Sequence, residues 1–423
     1  MSGPFIAWLI LLGLIAVVWL TRHAAISSAR RREPVLSSRS YDGPPEQAPR
    51  ISVLVAAKDE QENIESCVTT FCEQDYPDFE VIVIDDRSSD ETPAILQRLH
   101  KRYNDRLRVL TVRRLRHGWF GKNNAMREGV SAATGQWLCF ADADCRQTSP
   151  STLSMAMREA QAGRDDFLSV LPVLETKTFW ERLIQPVCAA IMVFWFRPER
   201  VNDPRSPAAY ANGAFMLIKR RVYDAIGGHE RVKTEVNEDM HLARITKQMG
   251  HHLRVIQNDD LYVTRMYATL GQTWRGWSRI FYGCLASFRR LLVAMSVLTA
   301  FSLVPWASLL ISLIGWAGAG PETVTAWRWL AVFSVVTVLL EQSVMFRFYR
   351  LARGEPRWSL AYLLAACICW GMLASAMLKR LGATSTTWRG TTYHKDQLQP
   401  EAPDAPANRA PDAPAEELGA HAP

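Results

Sequence analysis

Four stretches of the chain lack the polar positions that a water-facing element needs. Residues 4–20 (PFIAWLILLGLIAVVWL) carry no charge, and 291–319, 326–346 and 359–378 are each long enough to cross a bilayer core. Between the first stretch and the other three the pattern changes. Apolar β-rich runs begin at Ile51 (ISVLVAA), Phe79 (FEVIVI), Leu107 (LRVLTV) and Trp137 (WLCFAD), about 28 to 30 residues apart. Amphipathic stretches at 60–73, 91–103 and 122–134 separate them. Strands without polar alternation, spaced by helices, predict βαβ units and a parallel sheet covered on both faces. In such sheets ligands bind beyond the carboxyl ends of the strands. Residues 179–197 are helix-like but hold Glu181, Arg182 and Pro186, which predicts an interfacial helix rather than a span.

The pattern divides the chain into a membrane anchor at 1–22, a basic linker at 23–50 and an α/β domain at 51–290. A C-terminal membrane region follows at 291–381 with about three helices, then a juxtamembrane segment at 382–396 and a Pro/Ala-rich disordered tail at 397–423. The first apolar run has neither a positive start nor a small-residue cleavage site, so it reads as an uncleaved anchor. Arg22, His23, Arg30, Arg31 and Arg32 follow it and place the domain in the cytosol. Three later spans then leave Lys379, Arg380 and Arg389 outside, against the same rule. The conflict is relieved if one segment is re-entrant or interfacial, and the Pro305-containing 291–319 is the expected one.

Composition adds exclusions. With 423 residues, 48% hydrophobic and 22% charged, the chain is no disordered, collagen-like or disulfide-scaffold protein as a whole. Its net charge is +7; the tail 397–423 carries five acids and one Arg, which leaves +11 on residues 1–396. A basic body suits anionic head groups or phosphorylated substrates. No zinc-finger, basic-zipper or aromatic-studded RNA-binding pattern accompanies it, so nucleic acid is not an expected partner. Eight cysteines show no CxxC pairing; Cys67, Cys72, Cys139 and Cys145 fall in or beside buried elements, as free thiols in a reducing compartment do. Cys367 and Cys369 lie in an apolar helix as lipid or helix-packing positions. His229, His251 and His252 have no metal-ligand spacing and read as packing or surface residues.

Three strand ends carry acids: Lys58-Asp59-Glu60 after the first, Asp85-Asp86-Arg87-Ser88 after the second, and Asp142-Ala143-Asp144 after the fourth. Any one of them could be a turn or helix cap. Three on one sheet edge repel each other unless they hold a cation or bind ribose and base groups. In an extended segment Asp142 and Asp144 point to the same side, and such hard oxygen ligands suit Mg²⁺ or Mn²⁺.

These blocks (VLVAAKDEQENI, VIVIDDRSSDET, GWFGKNNAMREGVSAATGQWLCFADADC, ANGAFMLIKRRVYDAIGGHE and VNEDMHLARITKQMG) resemble family 2 glycosyltransferases over about residues 50–290. The resemblance is nearest to the membrane-anchored bacterial branch associated with carotenoid and hopanoid lipids. It implies an α/β fold of the GT-A nucleotide-diphospho-sugar transferase type and an inverting mechanism. It further implies that Asp59 and Asp86 bind the donor, Lys122 lies near its phosphates, and Asp142 and Asp144 hold Mg²⁺ or Mn²⁺. Asp239 matches the general base, beside Glu238. Without the resemblance, Glu238 and Asp239 read as an ordinary acidic helix start.

Processive relatives carry Gln-x-x-Arg-Trp near the membrane. Here Gln272, Thr273, Trp274, Arg275 and Gly276 put a glycine where that Trp belongs, with Trp277 one place later. Gln272, Arg275 and Trp277 are therefore acceptor-side candidates, and transfer of one or few sugars is expected. The reading is a multi-pass inner-membrane enzyme of bacterial type that moves sugar from a nucleotide-diphosphate donor to a lipid hydroxyl at the cytosolic face. The alternatives are a processive polysaccharide synthase and a catalytically silent nucleotide-sugar-binding or scaffold protein.

Overall fold

Ile51 stands opposite Phe79 on one side and Trp137 on the other, so the first apolar run is interior to a parallel sheet. The computed structural model describes residues 3–32, 35–383, 386–388, 391–394 and 397–398. In chain order the elements are α1 (Gly3–Arg32), β1 (Val35–Leu36), β2 (Ile51–Ala57), α2 (Ile64–Cys72), β3 (Phe79–Asp86), α3 (Thr92–Arg102), β4 (Leu107–Val112) and α4 (Gly121–Ala132). Next come β5 (Trp137–Asp142), β6 (Cys145–Gln147), α5 (Thr152–Ala162), β7 (Phe167–Leu171), β8 (Val173–Leu174), α6 (Phe179–Trp195), α7 (Pro198–Val201) and β9 (Met216–Lys219). Then follow α8 (Arg220–Ala225), α9 (Gly228–Arg231), α10 (Glu238–Gln248), β10 (Leu253–Asn258), β11 (Tyr262–Thr264), α11 (Leu270–Leu285) and α12 (Phe288–Leu298). The last helices are α13 (Val304–Ala317), α14 (Val324–Leu351) and α15 (Tyr362–Arg380).

The main sheet runs β1-β10-β7-β9-β5-β2-β3-β4, parallel except for β9, which is antiparallel to both its neighbours. Alternation along β2 serves both faces. Ile51, Val53 and Val55 pack with Val68, Phe71 and Leu96, whereas Leu54 packs with Met126, Val130 and Leu242 on the other side. Ser52, the one polar position of the run, is buried and donates to Glu80 at 2.7 Å; the rest is apolar because neither face meets water. A second sheet runs β6-β11-β8, with β6 antiparallel and β8 parallel to β11.

Residues 23–50 are not a free linker. The helix of the anchor continues to Arg32, where His23 and Ser27 are held by Arg347 of α14 at 2.7 Å each. Val35 and Leu36 then join the main sheet as an edge strand on β10. Ser37 and Ser38 donate to Asp259 and Asp260, which fixes the strand's approach. A two-residue strand set by tertiary pairing leaves no periodic signal.

Among the described residues five helical segments are long and apolar enough to cross a membrane: Gly3–Ser27, Phe179–Val201, Phe288–Ala317, Val324–Leu351 and Pro356–Arg380. Within the third, a π-turn at Thr299–Leu303 separates α12 from α13. Pro305 explains it, because it lacks the N–H that would bond the Phe301 carbonyl four residues back. Trp19 Nε1 donates to that carbonyl at 3.0 Å instead. A core of α1, α6, α11, α12, α14 and α15 side chains joins these helices to the α/β domain. The stretch 399–423 of the expected disordered tail lies outside the described residues.

Candidate active site

The pairing register brings the acidic ends together: Ala57 faces Asp85 and Ala56 faces Asp142. Asp86, Asp142 and Asp144 line one cleft with Lys122, Glu238 and Asp239. They arrive from β3, α4, the end of β5 with the turn after it, and the first turn of α10. Lys122 is on the first turn of α4, whose Gly121 lies so close to Asp86 that a Cβ there would stand 2.8 Å from Oδ2. Asp86 is also paired with Arg87 at 2.9 Å.

Lys122 is the hinge of the charge pattern. Its ammonium lies 2.6 Å from Asp142 Oδ1 and 2.6 Å from Glu238 Oε1, so it joins the end of β5 to the start of α10. Burial opposes its charge, but the two carboxylates outweigh burial and hold it well above the usual lysine range. Asp239 accepts from the Gly213 N–H at 3.0 Å and the Met240 N–H at 2.7 Å. Burial and the neighbouring Glu238 push its carboxyl up to about 7, against the pull of Lys122 and those two amides. Asp144 is likewise raised to about 7, first by burial and then by Asp142 and Glu60. Asp239 is therefore poised to exchange a proton near neutrality. His229 is buried and pushed down to about 3, with Nδ1 2.7 Å from the Tyr223 hydroxyl; it is a packed neutral ring.

The two carboxylates of the D-x-D fit a divalent cation. They stand at the end of β5 and in the turn after it. Lys122 pairs with Asp142, and for Asp144 the Thr264 hydroxyl and Lys122 do not outweigh burial, Asp142 and Glu60. No cluster of three or more His, Cys, Asp or Glu forms a protein cage among the described residues. An ion here would keep open positions for water and phosphate oxygens, as Mg²⁺ does.

Three expected residues are placed otherwise. Asp59, at φ 53°, accepts from the Ser89 N–H at 2.7 Å and so pins the loop after β3; Lys58 and Glu60 line the cleft in its place. Gln272 forms a capping box with Thr269 at the start of α11, and Arg275 on the same helix is exposed, outside the cleft lining. Trp277 does line the cleft, but its indole N–H is spent on Gln185 at 3.2 Å. Three residues not singled out from the sequence also shape the site. Gly213 leaves open the space between Lys122, Asp142 and Asp239, for a Cβ there would lie 3.1, 3.5 and 3.6 Å from their polar atoms. Tyr267 covers Gly276, and Arg265 pairs with Glu181 at 3.0 Å. Only the Ala-Asn-Gly block and the Thr269-x-x-Gln272 capping pattern were readable in advance.

The cleft, of about 1290 Å³, does not end at the acids. It continues past Tyr267 and Trp277 into apolar walls from Trp19 and Ile26 of α1, Met192 and Phe194 of α6, and Phe301 and Phe348.

The profile described as Glycosyl transferase family 2 matches residues 52–227. Among curated proteins, the beta-monoglucosyldiacylglycerol synthase of Trichormus variabilis is 30% identical over 184 residues, 43% of this chain and 38% of that protein. The 4,4'-diaponeurosporenoate glycosyltransferase of Staphylococcus aureus is 24% identical over 231 residues, 54% of this chain and 60% of that one. The matches thus span less than two thirds of either relative. A mannosyltransferase from Pyrobaculum calidifontis, solved with GDP-Man and Mn²⁺, superposes with a TM-score of 0.50 at 21% identity, covering 84% of this chain and 98% of that one. Residues 52–227 thus match the family 2 glycosyltransferase profile, and the chain shares the fold of that mannosyltransferase, of the GT-A type.

Proposed function

We propose that the protein is an inverting glycosyltransferase that moves one sugar from a nucleotide-diphosphate donor to the hydroxyl of a membrane lipid. One observation carries this reading: a single cleft joins the acidic sheet edge to apolar walls built by α1, α6 and the π-turn. A polysaccharide acceptor in water needs no such wall, whereas an acyl or polyprenyl chain does. The lipid-acting names of the two relatives support the same class of acceptor.

In this reading Asp86 and Arg87 bind the base and ribose end of the donor, and Lys122 faces its diphosphate. Asp142 and Asp144 would hold Mg²⁺ or Mn²⁺, which supplies positive charge against the departing diphosphate. Asp239 takes the proton of the acceptor hydroxyl as that oxygen attacks the anomeric carbon from the opposite face. Gly213 keeps the carboxylate aimed through its N–H and leaves room for the reacting atoms beside it. One displacement inverts the anomeric carbon, so no covalent sugar–enzyme species forms.

Incubating membranes with labelled UDP- and GDP-sugars, followed by lipid extraction, tests the proposal. Label in a discrete lipid band is the expected result. Label only in long polymer, or none in lipid for any donor, would overturn it.

A further inference from the structure

We infer that α15 does not cross the bilayer: it lies along the membrane surface on the side of the catalytic domain, with one apolar stripe in the acyl chains. The chain beyond it then leaves on the catalytic side.

The argument begins with the ends of α15. Just before it, Glu355 pairs with Arg182 at 3.5 Å and the Trp358 ring meets Phe179 edge-on at 5.1 Å, both at the start of α6. At its other end Arg380 donates to the Ala286 carbonyl at 2.6 Å, and its guanidinium lies over the Tyr282 ring at 5.3 Å. In between, Gly371 is packed so closely on Trp274 that a Cβ would stand 2.5 Å from the indole. Residues 274 and 282 thus match 371 and 380. Helices α11 and α15 run side by side in the same direction.

Helix α11 belongs to the catalytic domain at both ends. It starts six residues after β11, at the Thr269 cap, and near its finish Gly283 is in contact with Asn237, the residue before Glu238. It also bears Gln272, Arg275 and Arg279. Arginines at the centre of hydrocarbon are costly, so α11 stays at the surface, and a helix aligned with it over that length stays there too.

The outer face of α15 excludes water contact instead. Leu364, Cys367, Trp370 and Leu378 are exposed, while Tyr362, Ala365, Ala366, Cys369, Met372, Leu373 and Ala376 are buried against the protein. No charge interrupts the helix before Lys379. A wholly apolar exposed stripe of this kind is covered by the acyl chains of the leaflet. Helices α1, α13 and α14 are different, because they reach the far end of the bundle. Phe5 meets Trp327 there at 4.8 Å, and Trp8 bonds Ser308 at 2.9 Å.

The charges then fall into place. The turn at 318–323 between α13 and α14 holds Glu322 and no Lys or Arg. Arg328, in the second turn of α14 beside Trp327, is a single basic residue near that end against six at the other. Arg347, Arg350, Arg353, Arg357, Lys379 and Arg380 all sit on the catalytic side, as the positive-inside rule requires. The segment that resolves the conflict noted in the sequence is 359–378, not 291–319.

Sealed membrane vesicles of one orientation, carrying the full chain with an epitope tag after Pro423, test this with added protease. The tag and the catalytic domain should be digested from the same vesicle face. Alkaline phosphatase fused after Pro423 should be inactive in cells when a fluorescent protein at the same point is bright. A tag protected where the catalytic domain is cut, or cut equally from both faces, overturns the inference, as does an active phosphatase fusion.

Discussion

The ring of Tyr267 occupies the space that any side chain at Gly276 would need. A Cβ built on Gly276 falls well inside van der Waals contact of Tyr267 Cζ and Oη, and Tyr267 itself lines the cleft. The stacking Trp of processive relatives is therefore not merely absent here; its place is filled from another segment. Gly276→Trp should lower folded yield and Tm, at roughly the 1–3 kcal/mol typical of overpacking, without lengthening the product. Mass spectrometry of the lipid product from wild type should show one added sugar, and a homopolymer ladder would favour the synthase reading.

Gly213 offers a cleaner separation of fold from chemistry. Its φ is not in the left-handed region, so Gly213→Ala strains no backbone. Its Cβ would instead press on the Lys122 ammonium at 3.1 Å and stand 3.6 Å from Asp239 Oδ2. That contact asks the ammonium to give by a few tenths of an ångström, whereas about 1 Å of misplacement costs on the order of 10² in rate. We expect the fold to be kept and turnover to fall by less than about that factor; unchanged turnover would show that the space is not used.

The raised carboxyl of Asp239 gives the pH profile a sign. As a base it must be ionised, and burial with Glu238 beside it pushes it up to about 7. Activity should therefore fall as pH drops through 7, and kcat/KM reports this for the free enzyme. Lys122 pulls the other way, favouring the carboxylate. In Lys122→Met the acid limb should move to higher pH, in addition to any loss of donor binding. A limb that stays in place would argue that another group titrates.

Much of this was legible in the chain. The four β runs could be read because both sheet faces are buried. However, β5 ends at Asp142, and Ala143 and Asp144 form the turn after it. The extended alternation expected for the D-x-D therefore does not hold, and the turn, not the strand, brings Asp144 to the cleft. Asp59 was not legible: a left-handed backbone at φ 53° turns its carboxylate to Ser89, and nothing in the Lys58-Asp59-Glu60 run announces that. Gln272 and Arg275 were drawn in by a family spacing, although Thr269-x-x-Gln272 already had the form of a capping box. Tyr267 and Gly213 act through approaches between distant segments, which no local pattern encodes.

Metal dependence tests the D-x-D directly. Chelation of purified protein with EDTA should abolish transfer, and Mg²⁺ or Mn²⁺ should restore it. Asp144→Asn should weaken donor affinity and rate together, because one ligand and one charge are lost at once. Full activity in metal-free protein would remove the cation from the proposal.

Asp239→Asn separates binding from catalysis. The amide keeps the shape of the carboxylate, and its carbonyl can still accept from the Gly213 N–H that now holds Oδ2 at 3.0 Å. It cannot accept the acceptor proton. Loss of a positioned base costs on the order of 10²–10⁴ in rate. Donor affinity rests on Asp86, Lys122, Asp142 and Asp144, so titration with nucleotide sugar should give a nearly unchanged Kd. A mere helix-start carboxylate at this place would instead cost roughly 0.3–1 kcal/mol of stability and leave turnover intact. The second residue of α10 is where that bland role would be expected, so the two readings compete at one atom. Near-normal turnover in a folded Asp239→Asn enzyme would falsify the assignment. The base would then be sought in Glu238, whose carboxylate is already engaged by Lys122 at 2.6 Å and would have to give up that pairing to act.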